Sequence, residues 1–171
     1  MNYKRLFIPN ALVFITVVTR NRNNILIENI DYIRKSFILT KQNYSFNIIA
    51  IIINPDHFHM IIKPQNIEEY PKIIGSIKSK FTKLSNIKHS INNNNRESNI
   101  WQRRYWEHTI RDENDLYKHI DYIHYNSMKH HNITPKDWEY SSFKKFVKNE
   151  YYDIDWCNFE DKYNIKNMNI E

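Results

Sequence analysis

The chain has 171 residues, a formal net charge of +6, a pI near 9.2 and a single cysteine, Cys157. That is the size of one ordinary domain able to bury a core unaided, and one thiol excludes both an internal disulfide and a cysteine-rich zinc site. The mild basic field favours polyanionic partners, no run nears the roughly 18 apolar residues of a membrane span, and residues 1–9 are too polar for a secretion signal, so a cytoplasmic protein is expected.

Residues 11–20, Ala-Leu-Val-Phe-Ile-Thr-Val-Val-Thr-Arg, are β-branched and aromatic and predict a buried strand ending in the polar Asn21 to Asn24. Residues 30–42 predict a helix. Residues 45–53 predict a second strand, Asn54-Pro55-Asp56 a turn, and residues 57–63 a third strand paired antiparallel with the second. Pro71 opens a helix to about residue 87, with Ile73, Ile74, Ile77, Phe81 and Leu84 as its core stripe and Lys72, Lys78, Lys80 and Lys83 around the rest. The polar residues 89–99 are expected to be mobile, and residues 100–111 alternate aromatic and charged side chains as a fourth strand.

Asp112-Glu113-Asn114-Asp115 then starts a helix to about Lys129, its acidic first turn suiting the macrodipole. Leu116, Ile120 and Ile123 form its core stripe, and His119, Tyr122 and Asn126 share another face. Beyond Pro135 an aromatic and basic tail is expected to pack on the domain and fray after about Asp161. With one glycine, Gly75, left-handed backbone falls to asparagine, as in the run Asn92 to Asn95. The element order predicts an α+β, ferredoxin-like antiparallel sheet with helices packed on one face.

Side chains alternate across a strand, so His57 and His59 share a face while Phe58 enters the packed one, which makes a two-point metal clamp. An amide oxygen from Asn126 would complete a set suited to Mg²⁺ or Mn²⁺, with open positions that can polarise a phosphodiester. Tyr122, one turn earlier, is the candidate covalent nucleophile. Tyr125 and Tyr117 are its rivals, Tyr125 turned about 60° to the other side of the stripe. His108, His119 and His124 read as polar packing or DNA contacts. Arg103 and Arg104 supply charge for phosphates beside Trp101, Tyr105 and Trp106 for stacking on unpaired bases, and Lys78, Lys80 and Lys83 form a second candidate surface.

Together with Trp101-Gln102-Arg103-Arg104-Tyr105-Trp106-Glu107-His108 and Asp121-Tyr122-Ile123-His124-Tyr125-Asn126-Ser127-Met128-Lys129-His130, these residues resemble the single-tyrosine HUH transposases. More narrowly they are similar to the REP-associated tyrosine transposases, relatives of small single-strand insertion-sequence enzymes. The match runs from Tyr3-Lys4-Arg5-Leu6-Phe7-Ile8-Pro9, through Phe14-Ile15-Thr16-Val17-Val18-Thr19-Arg20, to Asp137-Trp138-Glu139-Tyr140-Ser141-Ser142-Phe143.

The resemblance implies an HUH endonuclease fold, with a catalytic domain in residues 1–131 and a C-terminal extension in residues 132–171. It implies His57 and His59 as metal ligands, Asn126 as a further polar ligand and Tyr122 as nucleophile. The implied activity is cleavage of single-stranded DNA next to a hairpin, leaving a 5′-phosphotyrosine and a free 3′-OH without nucleotide hydrolysis. Ser127 stands where the family usually has proline, and His131 and Asn10 where it has glycine, which touches hairpin fit and the helix end. A non-cleaving hairpin-binding regulator of the same fold and a hydrolase acting through activated water are the alternatives. Monomer and homodimer both stay open, because mobile relatives exchange tyrosine helices and the tail could cover that surface.

Overall fold

The computed structural model describes residues 7–88, 90–92 and 97–157. The expectations for Tyr3 to Leu6, for His89 and residues 93–96, and for the end after Asp161 lie outside the described residues. Besides two 3₁₀ turns, Arg20–Arg22 and Ile67–Glu69, the described residues form, in order, β1 Val13–Val18, α1 Ile30–Lys41, β2 Phe46–Ile53, β3 His57–Pro64, α2 Tyr70–Leu84, β4 Ile91–Asn92, β5 Glu97–Ser98, β6 Trp106–Thr109, α3 Glu113–His131 and α4 Phe143–Lys148. β1, β2, β3 and β6 form an antiparallel sheet in the order β2-β3-β1-β6, and β4 pairs with β5 in a separate ribbon. This is the expected ferredoxin-like sheet with helices packed on it.

The helices, however, cover both faces rather than one. Val13, Ile15 and Val17 of β1 and Phe58, Met60 and Ile62 of β3 pack with Ile33 and Phe37 of α1 and Ile73, Ile77 and Phe81 of α2. The alternate residues Phe14 and Ile61, with Ala50 and Ile52 of β2, pack with Ile120, Tyr122 and Ile123 of α3, Phe143 of α4 and Tyr152. The reason lies in β1, where Val13, Phe14 and Ile15 are each fully buried: consecutive apolar residues on a strand demand cover on both sides. No described helix is long and apolar enough to cross a membrane.

The fourth strand is shorter than residues 100–111. Trp101 is 2 % exposed, its ring packed edge-on to Phe58 and Phe81, and its indole N–H donates to the Lys78 carbonyl at 3.2 Å. Sinking that ring under α2 breaks the alternation, so Trp101 belongs to the core, at the floor of a cleft it shares with Lys78, Lys83 and Arg103. Asparagine takes four of the left-handed positions among the described residues, Asn10, Asn21, Asn86 and the α3 cap Asn132, with φ between 52 and 61°, and Arg22, Glu150 and Cys157 take the others.

α3 begins at Asp112, whose carboxylate accepts from the Asp115 N–H at 2.8 Å. Asp115 in turn accepts from Arg111 Nε at 3.1 Å and pairs with His108 Nε2 at 2.8 Å, tying β6 to α3. Burial alone would raise its carboxyl, but hydrogen bonds from Arg111 and His108 outweigh that and hold it well below the usual carboxylate range. A carboxyl depressed in the fold stabilises it above the unfolded value and loses that contribution as pH falls through the folded one. Urea melts are therefore expected to show stability falling below about pH 4. Asp115→Asn is expected to lower stability at pH 7 and flatten that acid limb; an unchanged limb would make the cluster neutral to folding.

Candidate active site

The turn between β2 and β3 is pinned from outside. Asn54 N–H donates to the His57 carbonyl at 2.8 Å, the Pro55 carbonyl accepts from Leu26 N–H at 2.8 Å, and the Asp56 carbonyl accepts from both the N–H and the hydroxyl of Thr19. β3 therefore starts at a fixed position, and the alternation puts His57 and His59 on the α3 side while Phe58 enters the α1/α2 core. Both imidazoles are buried, 4 % and 0 % exposed, with ring centroids 4.8 Å apart.

Each histidine is held by its Nδ1. The register sets Thr16 opposite His59, and Thr16 Oγ1 lies 2.8 Å from His59 Nδ1. Asp56 Oδ1 lies 2.5 Å from His57 Nδ1, and Asp56 Oδ2 accepts from Arg22 at 3.1 Å. Burial would raise the Asp56 carboxyl, but the His57 and Arg22 contacts outweigh it and keep Asp56 ionised. With the proton on each Nδ1, these oxygens act as acceptors and each Nε2 is the nitrogen able to ligate, the outer-shell arrangement of metal-binding histidines.

α3 brings the remaining candidates. Tyr122 is 1 % exposed, its ring 5.3 Å from that of His59, and its hydroxyl accepts from Lys129 Nζ at 3.1 Å. Asn126 is fully buried, its Oδ1 accepting from Asn54 Nδ2 at 2.9 Å while its own Nδ2 has no hydrogen-bond partner. The same Asn54 amide donates to His57 Nε2 at 3.1 Å, so Asn54 links Asn126 to the histidine pair. Tyr125, the rival tyrosine, packs with Met128 and Cys157 away from the histidines, and the other rival, Tyr117, is 46 % exposed.

Two imidazole nitrogens and an amide oxygen suit a divalent ion with open positions. A second group, His108, Asp115 and His119, brings potential ligand atoms within 4.8 Å of one another. Its carboxylate is engaged by Arg111 and His108, as His57 Nε2 and Asn126 Oδ1 are by the Asn54 amide.

Several residues around the pair escaped the sequence reading. His130 lies with its ring 5.1 Å from His57, and burial, with His57 and Lys129 beside it, pushes it down to about 4. His131 reaches Asn54 Oδ1 at 3.1 Å and stacks on Trp138 at 4.6 Å. The available signal was helical spacing: Lys129 stands seven residues after Tyr122 and His130 four after Asn126, so all four share one side of α3.

One cleft reaches this centre through His57, and Gln102 lines both it and two others. One of about 340 Å³ holds His57, His130, Arg22, Arg104, Tyr105 and the 39 % exposed Trp106. Arg103 and Arg104 join Arg20 in the next, of about 420 Å³, and Arg103 joins Lys78 and Lys83 in a third of about 360 Å³. Lys78 Nζ is partly committed, donating to the Gln102 carbonyl at 2.8 Å, and burial lowers it to about 8. Lys80 lies apart from the clefts, turned towards α1 with Nζ on Asn43 Oδ1 at 3.1 Å and Ser76 Oγ at 2.9 Å.

Comparison with known proteins places these residues in context. The family model for IS200-like transposases matches residues 9–126. A Haemophilus influenzae protein named "Putative REP-associated tyrosine transposase" is 43 % identical over 162 residues, covering 91 % of this chain and 92 % of its own. The Escherichia coli REP-associated tyrosine transposase is 34 % identical over 158 residues, covering 91 % and 90 %. A solved REP-associated tyrosine transposase bound to a REP hairpin superposes with a TM-score of 0.81 at 32 % identity, covering 92 % of each chain.

Proposed function

The chain belongs to the IS200-like transposases and, among them, to the REP-associated tyrosine transposases, and from that premise we propose that it cleaves and rejoins single-stranded DNA beside a hairpin, with Tyr122 as nucleophile and Mg²⁺ or Mn²⁺ held by His57, His59 and Asn126. The observation that carries this reading is the meeting of the Tyr122 ring with that of His59 at 5.3 Å in a buried site that opens onto a basic cleft. The divalent ion, when bound, supplies Lewis-acid polarisation of a non-bridging phosphate oxygen.

Tyr122 Oη attacks phosphorus; the Oη–P bond forms as the P–O3′ bond breaks, giving a 5′-phosphotyrosine and a 3′-OH. Attack by a 3′-OH reverses the step, so the phosphotyrosine keeps the bond energy and no nucleotide is hydrolysed. Arg103 and Arg104 hold strand phosphates along the clefts, and Tyr105 and Trp106 offer rings for unpaired bases. That the similar solved protein is bound to a REP hairpin supports the reading of a hairpin-bearing DNA as substrate.

A hairpin oligonucleotide with a single-stranded flank tests this. With Mn²⁺ a covalent protein–DNA adduct is expected on a denaturing gel, lost in EDTA and in Tyr122→Phe, while DNA affinity stays within about twofold. Binding without any nick would make the protein a hairpin-recognising regulator, and cleavage surviving Tyr122→Phe would assign attack to water.

Because Tyr122 meets the histidine pair of its own chain, mixing Tyr122→Phe with His57→Ala is expected to restore no adduct. Recovery in the mixture would mean that two chains exchange α3, which sedimentation at matched concentration would then report as a dimer.

A further inference from the structure

One residue in contact with the Tyr122 oxygen is left without a role by the metal-and-tyrosine reading. Lys129 follows Tyr122 by seven residues, about 20° short of two helical turns, and its Nζ donates to Tyr122 Oη at 3.1 Å while lying 4.7 Å from the ring centroid. Its side chain is exposed, yet the ammonium turns inward to a tyrosine that is 1 % exposed. Holding so long a chain in one geometry costs conformational entropy. Among the described residues no carboxylate pairs with this ammonium. The last turn of α3, where Lys129 sits, presents the negative end of the helix and favours a cation there.

We propose that Lys129 is a catalytic residue of the strand transfer: its ammonium contacts Tyr122 Oη and the scissile phosphate as the Oη–P bond forms and the P–O3′ bond breaks. This rests on Tyr122 being the nucleophile. A phosphorus bonded to Oη carries its non-bridging oxygens past the same ammonium, a compact point charge suited to phosphate. Lys129 keeps its proton throughout; the phenol proton passes to solvent and the departing O3′ takes one from solvent. The fixed positive charge stabilises the charge that spreads over the phosphoryl oxygens in the transition state.

The test measures single-turnover adduct formation on the hairpin oligonucleotide, with saturating protein and Mn²⁺, for wild type, Lys129→Met and Lys129→Arg. Lys129→Met is expected to slow the step by about 10²–10³-fold, the range for loss of one preorganised transition-state donor. Its DNA dissociation constant should stay within about threefold and its melting temperature near wild type, and Lys129→Arg should regain at least a tenth of the wild-type rate. A Lys129→Met rate within threefold of wild type, a loss confined to DNA affinity, or an arginine no better than methionine would each overturn the proposal. An adduct that persists in Tyr122→Phe would instead remove the nucleophile assignment beneath it, so the two failures are told apart.

Discussion

Alanine at His59 is expected to abolish the covalent adduct and to weaken Mn²⁺ binding by more than about 100-fold, with Thr16→Val as its graded companion. His59 is fully buried and its Nδ1 is held by Thr16 Oγ1 at 2.8 Å, so the ring cannot swing to spare its Nε2. Removing the ring deletes a ligand outright. Removing only the hydroxyl leaves the ligand but frees its tautomer and orientation, a loss worth about 10–100-fold in metal affinity. Calorimetric titration with Mn²⁺ in the absence of DNA reads both effects, and thermal melts confirm that each variant is folded. If His59→Ala bound Mn²⁺ as wild type does, the ion would have to sit elsewhere. His108, Asp115 and His119 would be the next group to test.

The pair itself was legible because strand alternation is a hard geometric rule. Once residues 57–63 read as a strand, His57 and His59 had to share a face, and Thr16 opposite His59 follows from the register of β1 against β3. Helical spacing likewise put Tyr122 and Asn126 together. Hidden was everything that depends on a third element. Trp101 reads as a stacking ring in an alternating segment, and only α2 overhead, with Phe81 5.2 Å from the indole, makes it core. Lys80 looks like its neighbours on the sequence, but Asn43 and Ser76 claim its ammonium. Asn54 reads as a turn residue; that it bridges His57, Asn126 and His131 requires α3 to lie on the sheet's second face. The unbroken apolar run of β1 already pointed to that second covered face, and a one-faced helical layer was the weaker inference from the same residues.

Phe14 is where the fold and the site meet, and Phe14→Ala is expected to damage both. The side chain is fully buried and its ring contacts four others: His119 at 4.8 Å, Trp106 at 5.5 Å, His59 at 5.7 Å and Tyr122 at 6.0 Å. Truncating such a residue costs about 3–5 kcal/mol, which in a chain of this size lowers the melting temperature by roughly 6–20 °C. Phe14→Leu keeps most of the volume and should cost much less. The functional consequence separates packing from positioning. Below both melting transitions the alanine variant still leaves a hole between His59 and Tyr122, so its adduct rate should fall well below that of the leucine variant at equal folded fraction. If the two rates were equal, the backbone of α3 and the Lys129 contact would suffice to aim Tyr122, and Phe14 would serve the fold alone.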